Sequence, residues 1–226
     1  EINLVDLTGA TISTNGIINT TGITSGNNGN VELTGAVTLA GNTTIDTDTN
    51  GGTVTFNGDG GIDATGAGTQ TLTILSGAGN IGIGGKIGDT TALGTIAINA
   101  TGSGTGDITI AQIGKDNLTS GVTGTVSIGN TSTDLVDFDG RYFSMNGALT
   151  VKSASGEKIK FTGTGATTVI TADDAITFNT GDIQTAQDLT INSAGGPIII
   201  GNVYGSATAT TLTINADSTA GGAAGD

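Results

Sequence analysis

The sequence predicts an all-β protein, a right-handed parallel β-helix (β-solenoid) of nine or ten irregular coils without significant helix. Three observations support this prediction: an unusual composition, a short strand pattern that recurs along the chain, and turn residues that follow the strands. No segment keeps the 3.6-residue apolar periodicity of an amphipathic helix, and glycine interrupts every candidate helix.

The composition indicates a core made of small aliphatic side chains. Of 226 residues, 41 are glycine and 44 are threonine, whereas only five are phenylalanine and two are tyrosine. The glycine share is about two and a half times the usual ~7%. A globular core normally relies on aromatic side chains that each bury about 150–250 Å². Here the apolar surface must instead be buried by stacking Ile, Val and Leu side chains in rows.

A short apolar–polar–apolar strand recurs along the chain at a spacing that fits a solenoid. The alternation is the period-2 pattern of a strand with one buried face. Four of the eight steps between successive copies are 23 to 27 residues long, and a value near 23 fits one coil of a parallel β-helix, with the variation absorbed in loops. The step of 13 residues to the copy at 189–191 is too short for a coil, so we expect that copy on another face of the same coil. The copies cover residues 37–39, 54–56, 72–74, 96–98, 126–128, 149–151, 176–178, 189–191 and 212–214.

Two further patterns fit the same coil. A Gly-x-Ile-x-Ile motif at residues 79–83, 106–110 and 196–200 is expected to form a second strand of the coil. Asparagine tolerates the left-handed conformation of a sharp corner, so we expect the asparagines that directly follow strands to stack into an amide ladder. These residues are Asn57, Asn99, Asn179, Asn192 and Asn215.

The predicted organisation is a single solenoid over residues 1–214, followed by a flexible Gly/Ala-rich tail over residues 215–226. Residues 134–161 break the repeat pattern and are interpreted as a decorated insertion, which holds the only arginine of the chain. Within it, Asp139, Arg141 and Tyr142 are candidate partner contacts. The alternative is a local insertion with its own aromatic cluster and Asp–Arg pairing.

One segment matches part of a calcium-binding loop. Residues 46–51 follow the pattern D-x-[DN]-x-[DN]-G, in which alternate oxygens converge on the ion. Asp46, Asp48 and Asn50 are therefore candidate calcium ligands. The twelfth position carries Asn57 instead of a bidentate glutamate, so an acidic corner that ends in an Asn-Gly turn is the alternative. Apart from calcium, no cofactor is expected.

Charge and residue content exclude several function classes. A net charge of −14 argues against nucleic-acid binding, which requires clustered lysine and arginine, and no apolar run is long enough to span a membrane. Without histidine or cysteine, Ser-His-Asp and Cys-His sites are impossible. A carboxylate-based glycosidase would also need aromatic platforms to hold its sugar. We therefore expect no enzyme, and the acidic, thiol-free composition predicts an extracellular or cell-surface protein.

The stretch Gly51–Ala100 resembles the β-strand repeats of bacterial surface adhesins of the filamentous-haemagglutinin type. Residues 71–98 follow the pattern ALTL-x-AGxGxIxIxGxIGxxTxLGxLxI that recurs in such proteins. The resemblance covers roughly two thirds of the chain. It implies a right-handed β-helical shaft, exported to the cell surface and used in adhesion, biofilm or matrix formation. The secretion domain of that family is not recognisable here.

These observations predict the shaft of a secreted or cell-surface adhesin. Its expected partners are neighbouring solenoid segments and carbohydrate or protein on host or cell surfaces. The alternative is a self-assembling subunit of an extracellular filament or surface layer, in which identical subunits stack end to end. This alternative is expected because no capping helix precedes the first strand-like run, and solenoid edges are normally capped.

Overall fold

The protein is a parallel β-solenoid in which each coil contributes up to three strands. The computed structural model describes residues 4–21, 29–48, 51–58, 60–116, 118–163, 165, 167–205 and 210–216. Successive coils begin on the first face at residues 4, 30, 54, 81, 108, 135, 158, 182 and 203, so all coils are similar in length. The described residues form eight complete coils and two further strands.

In the described part of the chain, twenty strands form three faces, which we number in the order in which the chain visits them. Strands β1 (Leu4–Asn19) and β2 (Asn30–Asp46) bend through all three faces, and β6 (Ile81–Ile87) and β8 (Ile108–Ile113) cover the first and second. The first face also contains β3 (Val54–Asn57), β10 (Leu135–Phe138), β13 (Lys158–Phe161), β16 (Asp182–Thr185) and β19 (Val203–Gly205). The second contains β4 (Ile62–Ala64), β11 (Tyr142–Met145), β14 (Thr167–Ala172), β17 (Asp188–Ser193) and β20 (Leu212–Ala216). The third contains β5 (Thr71–Leu75), β7 (Thr95–Ile98), β9 (Val126–Ile128), β12 (Leu149–Lys152), β15 (Ile176–Asn179) and β18 (Ile198–Ile199).

The predicted fold class is confirmed, with slightly fewer coils than the nine or ten expected. The sequence copies at 72–74, 96–98, 126–128, 149–151 and 176–178 do stack on the third face, one per coil. The copy at 189–191 lies on another face, the second, as its short step predicted, but in the coil after that of the copy at 176–178. The copies at 37–39 and 54–56 lie on the second and first faces, so they do not mark successive coils of one face. Right-handedness stays a prediction, supported by the general preference for right-handed crossovers.

The core consists of columns of apolar side chains that run along the axis. Alternate residues of each strand point inward, and neighbours in a column are paired residues of successive coils. On the first face, Val31, Val54, Ile81 and Ile108 form such a column, each at most 1% exposed. Full burial of one such side chain stabilises the fold by about 1.5–3 kcal/mol. Rows of small aliphatic side chains thus make up most of the core, as the composition predicted.

Four phenylalanines form a cluster inside the sixth and seventh coils. Phe138 packs edge-on against Phe143, with ring centroids 4.8 Å apart, and stacks on Phe161 at 5.1 Å. Phe161 also contacts the ring of Phe178 edge-on at 5.9 Å. All four side chains are at most 2% exposed. Such aromatic pairs stabilise by about 0.5–1.5 kcal/mol beyond their burial, so the cluster joins the first, second and third faces.

Residues 134–161 contain four strands that continue the solenoid. Strand β10 pairs with β8 and β13 on the first face, and β12 pairs with β9 and β15 on the third. The segment predicted as a decorated insertion therefore supplies the sixth coil and the start of the seventh. Of the predicted tail, Asn215 and Ala216 belong to β20, and residues 217–226 lie outside the described residues.

Buried polar side chains close the corner between the third face and the next coil. The Asn99 amide oxygen accepts a hydrogen bond from the backbone N–H of Ser76 at 2.8 Å, and its amide nitrogen donates to the Ser76 hydroxyl at 3.0 Å. Asn99 has a φ of 44°, a conformation that asparagine adopts more readily than most residues. The Asn130 amide then donates to the Asn99 carbonyl at 2.9 Å. These bonds satisfy polar groups that burial would otherwise leave unpaired.

The predicted asparagine ladder is confirmed for one pair and wrong as a single stack of five. The amide of Asn215 donates to the side-chain oxygen of Asn192 at 2.7 Å on the second face. Asn57 ends a first-face strand, whereas Asn99 and Asn179 lie at the ends of third-face strands. The five residues therefore lie at three different corners and cannot form one column.

Candidate functional site

The predicted contact residues lie on both sides of one corner. Asp139 follows β10 on the first face, and its backbone N–H donates to the Ile110 carbonyl at 3.0 Å. After Gly140, Tyr142 begins β11 on the second face, and the Arg141 guanidinium lies 5.0 Å from the centre of the Tyr142 ring. Arg141 makes no ion pair with the described residues. The structure thus joins Arg141 to Tyr142, and it leaves Asp139 on a separate surface.

Asp139 shares its surface with a second carboxylate that the sequence interpretation missed. Asp137 and Asp139 are alternate residues, so both point outward from the first face. The Thr162 hydroxyl lies 2.7 and 2.9 Å from the two Asp137 carboxylate oxygens and 3.4 Å from an Asp139 oxygen. A hydroxyl has one proton to donate, so the nearer Asp137 receives the hydrogen bond. The D-x-D spacing on a strand was the signal that could have identified this pair.

The environment of Asp137 disfavours its charged form. Burial raises the pKa of Asp137 above its ordinary value, and the negative charge of Asp139 adds to this increase. The hydrogen bond from Thr162 and the charge of Lys160 lower the pKa but do not cancel the increase. A carboxyl whose pKa is raised by folding contributes stability below its unfolded pKa of about 3.9, and that stability is lost as the pH rises through the raised value.

Asp137→Asn is therefore expected to stabilise the protein at neutral pH. Asparagine keeps an acceptor for Thr162 and removes the charge, so we expect the melting temperature at pH 7 to rise by about 2 °C, a small effect because Asp137 is only half-buried. The difference between variant and parent should vanish near pH 3. Thermal unfolding followed by circular dichroism tests this, with the exposed Asp134→Asn as control. A lower melting temperature at pH 7 would contradict the assignment.

A surface depression lies beside Asp139 on the first face. It has a volume of about 220 Å³ and crosses the third to sixth coils. Its floor contains Gly82 and Gly84, which leave outward positions without side chains. Its rim carries the polar side chains of Thr55, Asn57, Thr109 and Asp139.

A second depression of about 300 Å³ lies around the corner and shares Gly84 and Ala111 with the first. Lys86 and Gln112 line it on the second-face side. The Lys86 ammonium lies 2.8 Å from an Asp116 carboxylate oxygen, which also accepts a hydrogen bond from Gln112 at 2.8 Å. The hydrogen bond to Asp116 raises the pKa of Lys86 and lowers that of Asp116. The lysine charge is thus balanced by a neighbouring carboxylate.

Two of the three candidate calcium ligands, Asp46 and Asp48, lie at a third-face corner. Asp46 ends β2, and its carboxylate accepts hydrogen bonds from the Asn19 amide at 3.3 Å and the Asp48 backbone N–H at 3.2 Å. Asp48 is exposed, and Asn50 lies outside the described residues. Within the described part of the chain, no three acidic side chains are grouped so that they could hold a metal ion. Calcium binding at this corner stays a prediction.

The fold and the first-face surface define a parallel β-solenoid with a depression across one face, rimmed by polar side chains. The chain matches no family model, no curated protein and no solved structure. The described part of the chain contains no helix with the length and hydropathy that a membrane crossing requires.

Proposed function

We propose that this chain is a shaft segment of a secreted or cell-surface adhesin, which holds a binding region away from the cell. The observation that supports the proposal is unbroken parallel pairing along three faces through eight complete coils. With coils about 4.8 Å apart, this stack makes a rod about 40 Å long. Because each coil is fixed to its neighbours by strand pairing and apolar columns, the length of such a rod increases with the number of coils.

The apolar columns continue to the terminal coils of the described residues. There, the inward-facing Leu7, Leu212 and Ile214 are 40%, 38% and 43% exposed, whereas equivalent residues in central coils are buried. This exposed apolar surface, with strand edges that pair with none of the described residues, is of the kind that a neighbouring solenoid segment would cover. Neighbouring solenoid segments are therefore the proposed partners, together with host or cell-surface carbohydrate or protein. The acidic, thiol-free composition and the resemblance to filamentous-haemagglutinin-type repeats support an extracellular location.

Localisation and adhesion can be measured together. Antibodies raised against the purified chain should label intact cells of the source organism without permeabilisation. Deletion of the gene should reduce attachment of the cells to surfaces, and reintroduction should restore it. Labelling that requires permeabilised cells would contradict the proposal.

Electron microscopy separates the shaft from the self-assembling subunit. The purified chain should remain as short rods about 40 Å long over a wide concentration range. Uniform fibres that lengthen with concentration would instead support end-to-end stacking of identical subunits. The same images therefore decide between the two candidate roles.

A further inference from the structure

The depression on the first face arises from a gap in a column of outward side chains. Gly82 pairs with Thr55 in the preceding coil and with Thr109 in the following coil. Threonine thus occupies the same outward position on both sides of the glycine. The gap spans two coil spacings, about 9–10 Å from the Thr55 strand to the Thr109 strand, and the two threonine side chains form its walls.

The backbone does not require glycine at position 82. A Cβ atom there would have its nearest neighbour, the Thr55 methyl group, at 3.9 Å, which is ordinary van der Waals contact. By contrast, a Cβ at the neighbouring Gly85 would lie 2.8 Å from backbone atoms of Gly61. Glycine inside a strand costs about 0.5–1 kcal/mol relative to alanine. It also marks positions where a ligand approaches the backbone closely.

The rim offers hydrogen-bonding groups that the protein leaves unused. The hydroxyls of Thr55 and Thr109 make no hydrogen bond with the described part of the chain. The Asn57 amide nitrogen donates to Glu32, and its amide oxygen remains free as an acceptor within the same residues. These are groups that pair with the hydroxyls of a ligand.

Charge selects the kind of ligand. Asp139 is exposed at the edge of the depression. The nearby Thr162 hydroxyl donates its hydrogen bond to Asp137, so the Asp139 carboxylate is available to a ligand. The chain carries a net charge of −14, and the nearby Lys86 is engaged by Asp116. Anionic ligands are therefore repelled, and a cationic group is attracted to the Asp139 carboxylate.

We propose that the depression over Gly82 binds an amino-sugar oligosaccharide. The Asp139 carboxylate accepts hydrogen bonds from the ammonium group of one sugar unit. Thr55, Asn57 and Thr109 contact the ring hydroxyls, and the ring lies over the Gly82 backbone. This binding activity goes beyond the role of a shaft and does not depend on it.

Isothermal titration calorimetry of the purified chain at low ionic strength tests the proposal. The probes are the glucosamine tetramer and the neutral N-acetylglucosamine tetramer. We expect the cationic tetramer to bind at least tenfold more tightly than the neutral one. Gly82→Thr fills the gap and should weaken binding of the cationic tetramer at least tenfold. Asp139→Asn should weaken it about fivefold to tenfold, because it removes one charge-assisted contact.

Two matched variants control for the substitutions themselves. Ala97→Thr fills an equivalent outward position on the third face, between Thr73 and Ser127, and Asp173→Asn removes a distant exposed charge. Both should bind the cationic tetramer as the parent does.

No binding by the parent, equal binding of the two tetramers, or unchanged binding by both site variants would overturn the proposal. Spermine that binds as tightly as the cationic tetramer would also overturn it, since that result assigns the affinity to diffuse charge. Absence of oligosaccharide binding would not contradict the shaft proposal, which is tested separately by cell labelling, electron microscopy and coil deletion.

Discussion

Phe161→Ala is expected to lower the free energy of unfolding by about 3–5 kcal/mol. The Phe161 side chain is fully buried and contacts both Phe138 and Phe178, so its removal leaves a cavity in the aromatic cluster. Because each coil of a solenoid contacts mainly its neighbours, the loss should be concentrated around the seventh coil. Urea denaturation gives the free energy, and hydrogen exchange followed by mass spectrometry shows where protection is lost.

Thr177→Ala is the matched control in the same coil, because Thr177 lies at an outward position between the buried Ile176 and Phe178. It should change the free energy of unfolding by less than about 0.5 kcal/mol. Loss of protection spread evenly from the first coil to the last would contradict a stack of locally coupled coils.

Gly140→Ala is expected to destabilise the protein by about 3 kcal/mol. A Cβ atom at position 140 would overlap the carbonyl oxygen of Ala111 in the preceding coil. This overlap can be relieved only if the two coils move apart. Their separation would strain the hydrogen bond from the Asp139 backbone N–H to the Ile110 carbonyl. Thermal and urea unfolding measure the effect.

Gly82→Ala is the matched control for this substitution, because a Cβ at position 82 meets no backbone atom at close range. Alanine restricts the unfolded chain, so this variant should be as stable as the parent or up to about 1 kcal/mol more stable. Equal losses in the two variants would show that close coil contact at Gly140 is not the cause.

The fold could be predicted because its repeat can be recognised from short segments of the sequence. Alternation in segments such as Ile96–Ile98 and Val126–Ile128 identifies strands with one buried face, and their spacing identifies coils. The coil count was less accurate because loops between faces vary in length. The steps from 37 to 54 and from 54 to 72 are changes of face, and sequence spacing alone does not distinguish them from full coils.

The candidate site was predicted only in part. Asp139 was selected because it stands in an unusual acidic and aromatic segment, and it lines the depression. The glycine gap was missed because it depends on which residues flank Gly82 across the sheet. Thr55 and Thr109 each lie one whole coil away along the chain, and their register follows from the length of every intervening loop. The prediction of a single asparagine ladder was wrong for the same reason, because the sequence spacing does not show that Asn99 and Asn192 lie at different corners of the coil.

Deletion of one whole coil tests the solenoid shaft most directly. Removing residues 81–107 joins Asn80 to Ile108, which already occupies the position of Ile81 in the next coil. We predict that this variant keeps the circular dichroism spectrum of the parent per residue, and that small-angle X-ray scattering shows a rod shorter by about 4.8 Å. Removing residues 81–94 takes out fewer residues but places a third-face strand on the first face, so it should disrupt folding. Loss of β structure in the 81–107 deletion, or tolerance of both deletions, would contradict a coil-based shaft.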